Sequence, residues 1–361
     1  ALALIRLGWP NFANLRSELA NLLLVRPLDH NRCRVRNFHR DTRGRRHGDL
    51  VRVTEAAALA AGRQMGRGDK NLADKVAVDA MRVMLNTIDM RGVIVIGEGE
   101  KDEAPMLFNG ETLGTGEGPE VDIAVDPIEG TRPLAFGLWN SIATVALAPR
   151  GTMFNPGPFV YMNKIAVGPA ARNCVDIDAP VSENLFRIAK CKGVKVDDLT
   201  VVILDRPRHT DLIRDVRAAG ARIRLIPDGD VAGALMTAME DSPADVLMGV
   251  GGTPEGVLAA VGLRCMGGDI VGKLFARSQA ELDLAKEMGV DFNKTLSLND
   301  LISSDNVFFA ATGITTGDFL QGVRYFKDGA STDSIVMRGL SGRLRPVIST
   351  PSRQLREPNR L

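Results

Sequence analysis

Histidine and cysteine are scarce in this 361-residue chain, with four of each. Three of the histidines, His30, His39 and His47, lie near the start, so only His209 remains in the body. That excludes zinc chemistry of the H-E-x-x-H kind and argues against a histidine-activated nucleophile. Cys33, Cys174, Cys191 and Cys265 form no C-x-x-C pair and no spacing suited to a zinc ribbon or a disulfide framework, so reduced or buried thiols are expected. No apolar run approaches the roughly 20 residues that cross a bilayer. An excess of one charge is missing too: 45 Lys and Arg face 44 Asp and Glu, leaving +1 and no field to hold nucleic acid or a membrane. What is present is ordinary globular composition, 45% hydrophobic and 25% charged, which excludes wholesale disorder. The length suits two domains of roughly 150 residues or one large α/β domain. Any catalysis falls to carboxylates, hydroxyls and metals.

Charge is unevenly spread. Residues 1–48 hold ten Arg and no Lys against Glu18, Asp29 and Asp41, a local +7 that leaves −6 for the body. Three readings of this leader stay open: an organellar transit peptide (weakened by its single Ser17), a basic nucleic-acid arm, or a non-native, disordered leader. Beyond it, residues 49–185 read as one α/β half, 186–345 as a second, and 346–361 as a tail that frays, with fraying expected from Arg343.

Apolar residues at helical spacing predict a helix over 50–65, through Leu50, Val53, Ala57 and Ala61, with Thr54 and Glu55 on its polar side. A second helix spans 72–88. The period then changes to short β-branched runs at 93–96, 121–125, 141–148 and 164–167. From Thr200 onward strands and helices alternate, the pattern of a parallel sheet wrapped by helices. A layered α/β fold follows.

The chemistry sits at strand ends. Val93–Gly97 runs into Glu98-Gly99-Glu100-Lys101-Asp102-Glu103, and Val121–Val125 runs into Asp126-Pro127-Ile128-Glu129-Gly130-Thr131. A third acidic cluster, Asp69 to Asp74, occupies the first inter-helix turn. Carboxylates there project into the crevice where α/β proteins bind ligands. Together they repel one another unless a hard cation such as Mg²⁺ or Mn²⁺ neutralises them. Two such ions suit water activation and departure of a phosphate ester. Solvated loops and helix caps are the plainer alternative.

Weaker motifs surround these. Gly114 to Gly118 is followed by Pro119 and a strand, so it fails the dinucleotide-binding context and reads as a turn. Gly249 to Gly256 joins strand to helix with Pro254 in the first turn, and could hold an anion. Arg206-Pro207-Arg208 follows a strand and suits phosphate, or is a solvated basic turn. Asp228-Gly229-Asp230 could bind sugar hydroxyls or a cation, or cap the next helix.

The Asp126–Thr131 motif resembles the signature of the lithium-sensitive, metal-dependent sugar phosphatase superfamily. Its company is more specific: Gly97 to Leu107, Tyr161 to Pro169, Asp205 to His209, Asp228 to Ala232 and Gly251 to Gly256. In this order they resemble class II fructose-1,6-bisphosphatase, the GlpX type, over roughly residues 49–345.

That resemblance implies an αβαβα sandwich, a homo-oligomer (tetramer or dimer), a need for Mg²⁺ or Mn²⁺, and release of the 1-phosphate of fructose 1,6-bisphosphate, with sedoheptulose 1,7-bisphosphate accepted by some members. It implies metal ligands at Asp74, Glu98, Asp126, Glu129 and Glu255. Substrate contacts would fall on Lys70, Glu129, Gly130, Thr131, Tyr161, Arg206, Pro207, Arg208, Asp228, Gly229, Asp230 and Glu255. Asp102, Glu100 and Thr131 would align or deprotonate the attacking water. Arg132 to Trp139 looks like a variable part of the family, where Pro133 and Trp139 bear on pocket shape. The location expected is cytoplasmic, or organellar if the leader is a transit peptide. An inositol monophosphatase, a nucleotide 3′-phosphatase and a non-catalytic sugar-phosphate-binding regulator are the alternatives.

Overall fold

The computed structural model describes residues 47–99 and 106–350, with side chains from residue 49. Nearly all of the leader, the expected catalytic residues Glu100 and Asp102, and residues 351–361 of the expected tail lie outside the described residues.

Two helices come first, α1 (His47–Gly62) and α2 (Lys70–Leu85). The first sheet then gathers β1 (Arg91–Ile96), β2 (Thr112–Leu113), β3 (Glu120–Glu129) and β4 (Ile142–Pro149). It is completed by β10 (Phe308–Gly313), β11 (Arg324–Phe326), β12 (Gly329–Arg338) and β13 (Arg343–Ser349), in the order β11-β12-β10-β4-β3-β1-β2 with β13 on β12. β1 and β3 are parallel; the other pairs are antiparallel. The second sheet has the order β7-β6-β8-β5-β9, from β5 (Tyr161–Val167), β6 (Thr200–Leu204), β7 (Arg222–Ile226), β8 (Val246–Gly252) and β9 (Asp269–Leu274). Its β7-β6-β8 core is parallel as the alternation predicts. β5 enters antiparallel to both β8 and β9, so the sheet is mixed.

Alternating side chains sort into three cores. Ile123 and Phe308 face α1 and α2, together with Val53, Ala57 and Met81. Their neighbours Ala124 and Phe309 face the other way, into a middle layer with Met162, Leu247 and Ile270 of the second sheet. Helices α6 (Asp230–Met236) and α7 (Thr253–Met266) fill that layer through Leu235, Val257 and Val261. On the far face, α4 (Val181–Lys192) and α5 (Thr210–Ala218) cover Val201, Ile203 and Met248. The result is the layered αβαβα architecture. Two short helices, α3 (Thr131–Phe136) and α8 (Gln279–Met288), flank the sheets.

Three expectations are corrected. Thr54 is buried rather than on a polar face, because its hydroxyl meets Thr312 Oγ1 at 2.7 Å, and Thr312 meets Ser334 Oγ at 2.8 Å. Arg343–Ser349 does not fray but pairs with β12 along its whole length, Leu344, Pro346 and Ile348 alternating outward. Cys174 and Cys191 are disulfide-bonded: the turn after β5 and the last turn of α4 bring together residues 17 apart in sequence. Cys265 is a buried free thiol, its pKa pushed up to about 12 by burial.

Candidate active site

The C-terminal ends of all five parallel strands, β1 and β3 in one sheet and β6, β7 and β8 in the other, open onto one cleft of about 650 Å³. On the first-sheet side β1 delivers Glu98 and β3 delivers Asp126 and Glu129. In a regular strand, residues three apart point to opposite faces. Here Asp126 pairs with Thr144 but Glu129 with Ile142, so β3 carries one extra residue, a bulge at Pro127, which has no ladder donor. The bulge turns both carboxylates into the cleft. Gly130 follows at φ 90°, left-handed backbone that glycine adopts without strain, and starts α3 at Thr131. Thr131 Oγ1 donates to Asp74 Oδ1 at 2.9 Å and to Ile128 O at 3.2 Å, tying α2 to the signature loop. Lys70, in the first turn of α2, lines the same wall.

The second sheet supplies the opposite wall. Arg206 ion-pairs with Asp228, and Arg208 donates Nε and Nη2 to Val250 O at 3.0 and 2.8 Å. Tyr161 stands at the start of β5, with Arg208 over its ring. Gly229 and Asp230 open α6. The cap of that helix comes from across the cleft: Glu129, 3% exposed, accepts Val231 N–H at 2.5 Å and Ala232 N–H at 3.3 Å. Asp230 instead pairs with buried Lys164 at 2.6 Å. Gly252 matters for closeness, since a Cβ there would run into the Glu255 carboxylate. Of the described residues expected to act here, Pro207 alone does not line the cleft, and neither Pro133 nor Trp139 reaches it.

The carboxylates are short of counter-charge. Burial, then the charges of Asp74 and Glu255, push Glu98 up to about 7. Burial likewise holds Asp126 well above the carboxylate range, with Glu98, Glu129 and Glu255 adding to it. Glu129 is raised by burial and by Asp230. Glu255 is raised by burial and Asp230, with Lys164 opposing, and Asp74 is raised by burial against the Thr131 hydrogen bond. Asp228 Oδ2 and Glu255 Oε2 are buried and make no hydrogen bond among the described residues. An all-oxygen, underneutralised donor set of this kind fits a hard divalent cation. Among the described residues no three of these groups close on a single point as a finished cage. Mg²⁺ characteristically fills such open positions with water and phosphate oxygens.

The family model described as "Bacterial fructose-1,6-bisphosphatase, glpX-encoded" matches residues 45–350. The chain belongs to the GlpX-type, class 2 fructose-1,6-bisphosphatase family. It is 47% identical over 314 residues to fructose-1,6-bisphosphatase 1 class 2 of Escherichia coli K12, spanning 83% of this chain and 93% of that protein. The class 2 protein of Shigella flexneri matches to the same extent.

Within this GlpX-type cleft the structure adds residues that sequence reasoning left without a role. Asn71 and Arg132 line it. Lys164, 1% exposed, also donates to Gly252 O at 2.9 Å; a lysine inside the apolar strand Tyr161–Val167 was its only signal. His209 is 2% exposed, and both ring nitrogens are committed. Leu204 O can only accept, so Nδ1 carries the proton at 2.7 Å; Nε2 accepts Val250 N–H at 2.9 Å. Burial, and the charges of Arg208 and Arg206, hold this imidazole below the ordinary histidine range and neutral. His209 therefore staples β6 to β8 beneath the Arg206–Arg208 turn. His209→Phe should cost about 2–4 kcal/mol by stranding a buried N–H and C=O, measurable by denaturant unfolding.

Proposed function

We propose that this chain hydrolyses the 1-phosphate ester of fructose 1,6-bisphosphate, giving fructose 6-phosphate and phosphate. The supporting observation is a single cleft with a carboxylate cluster on one wall and guanidiniums on the other, in a chain of this family. Asp74, Glu98, Asp126, Glu129 and Glu255 would hold Mg²⁺ or Mn²⁺, which supplies charge neutralisation at the scissile phosphate and a more acidic water. Thr131, its hydroxyl fixed by Asp74, would orient the attacking water, and Asp102 and Glu100 would accept its proton. Arg206 and Arg208 would anchor the distal phosphate, and Asp228 and Asp230 would accept hydrogen bonds from the sugar hydroxyls. Anchoring the far end positions the reacting end. In this reading 49–185 handles metal and 186–345 substrate, with Glu255 reaching across.

The protein is expected to work as a cytoplasmic homo-oligomer, a tetramer or dimer. Among the described residues no helix is long and apolar enough to cross a membrane. The test is phosphate release from fructose 1,6-bisphosphate with Mn²⁺, with Mg²⁺ and with EDTA, beside sedoheptulose 1,7-bisphosphate, inositol 1-phosphate and a 3′-phosphonucleotide. Metal-dependent release from the sugar bisphosphates, abolished by EDTA, is expected. Preference for the inositol or nucleotide ester would overturn the reading.

A further inference from the structure

One cation beside the cleft has no task in this scheme. β9 ends at Leu274, and Phe275 N–H donates to Tyr161 O at 2.8 Å, which pins the next turn against the start of β5. Arg277 follows two residues later. Its guanidinium carbon lies 5.1 Å from the centroid of the Tyr161 ring, and that of Arg208 lies 5.5 Å from the same centroid. The ring attracts each cation, while the two like charges repel one another, and an anion held by both would relieve that.

Their partners leave capacity for one. Arg208 spends Nε and Nη2 on Val250 O, a neutral acceptor, and forms no ion pair among the described residues. Arg277 is held by Glu281 in the first turn of α8, through Nε at 2.8 Å and Nη2 at 2.5 Å. The other Glu281 oxygen accepts the Arg277 backbone N–H at 2.7 Å, so one carboxylate presets main chain and side chain together. Nη1 makes no hydrogen bond among the described residues, and the side chain is 52% exposed. A guanidinium already ordered, with Nη1 unused, loses little freedom on meeting a phosphate.

We propose that Arg277 is a specificity-determining residue: over Tyr161, with Arg208, it grips the phosphate remote from the carboxylate cluster and so favours sugar bisphosphates over sugar monophosphates. The inference rests on the reading that the cleft takes a sugar bisphosphate. The remote phosphate is a dianionic monoester with three acceptor oxygens, enough for both guanidiniums. Glu281 is the positioning residue that keeps Arg277 in place before substrate arrives.

The experiment uses the full chain and the variants Arg277→Ala and Arg277→Lys. Steady-state kinetics are compared on fructose 1,6-bisphosphate and on fructose 1-phosphate, which keeps the scissile ester and lacks the remote phosphate. In Arg277→Ala, KM for the bisphosphate should rise about tenfold, the loss of one charge-assisted contact, with kcat little changed. The kcat/KM on fructose 1-phosphate should stay at the wild-type value, and Arg277→Lys should recover part of the loss. An equal loss on both substrates, or no loss on either, overturns the proposal; an unchanged melting midpoint confirms that the variant is folded. If the wild type turns over neither sugar, the functional reading fails first. Calorimetric titration with fructose 6-phosphate then decides separately: weaker binding by Arg277→Ala supports the clamp, and equal binding sinks it.

Discussion

Asp126→Asn is expected to lower kcat at least about a thousandfold, because in the proposed function it removes one of the carboxylates that would hold the metal. The fold should survive. Asp126 Oδ1 accepts Ile128 N–H at 3.0 Å, and an asparagine oxygen accepts the same bond. Glu98, Glu129 and Glu255 all press on Asp126 electrostatically, so removing its charge relieves them. At pH 8 without divalent metal the variant should therefore melt higher than the wild type, by about 3 °C. Loss of activity with a raised midpoint is the joint expectation, read by phosphate release and calorimetric melting on the same preparation. Full activity would remove Asp126 from the centre of the site. A lowered midpoint would show that its role is structural.

The second large effect is in how metal and pH act together on stability. A carboxyl whose folded pKa lies above its unfolded value binds more protons in the native state. Stability then falls as pH rises between the two values. For Glu98 that window runs from 4.5 to about 7, and Asp74, Asp126, Glu129 and Glu255 are shifted the same way. In the proposed reading a divalent cation would bind the deprotonated cluster and remove the repulsion that raises these values. Paired surface carboxyls such as Glu281 and Asp300 are shifted downward and act in the opposite sense. The difference between metal-loaded and EDTA-treated protein cancels that background. This gap in melting midpoint should be small at pH 5 and reach at least about 5 °C by pH 8. A gap that stays constant over that range would mean that these carboxylates do not share the metal.

Much of this was legible from the chain because its signals are local. The apolar runs before Glu98 and Asp126 mark strands, Pro127 marks a break in the strand ladder, and Gly130 marks a left-handed turn that glycine adopts without strain. Carboxylates placed after strands in an α/β pattern therefore point to the cleft. The antiparallel entry of β5 was not legible, since a strand's own pattern does not name its neighbour. Thr54 looked polar by period, and only the facing hydroxyls of Thr312 and Ser334 make its burial affordable. Pro207 belongs to the arginine motif, yet it turns the chain rather than facing the cleft.

The sequence by itself determined which chemistry is available: clustered carboxylates, an arginine pair and a signature turn, each readable because its residues are adjacent. The tertiary structure decided how those groups are used. Glu129 caps a helix 102 residues away, Lys164 neutralises Asp230, and His209 joins two strands through a single ring tautomer. Each of these depends on a partner distant in the chain, and burial makes each partner obligatory, because an unpaired polar group in the interior costs too much to leave.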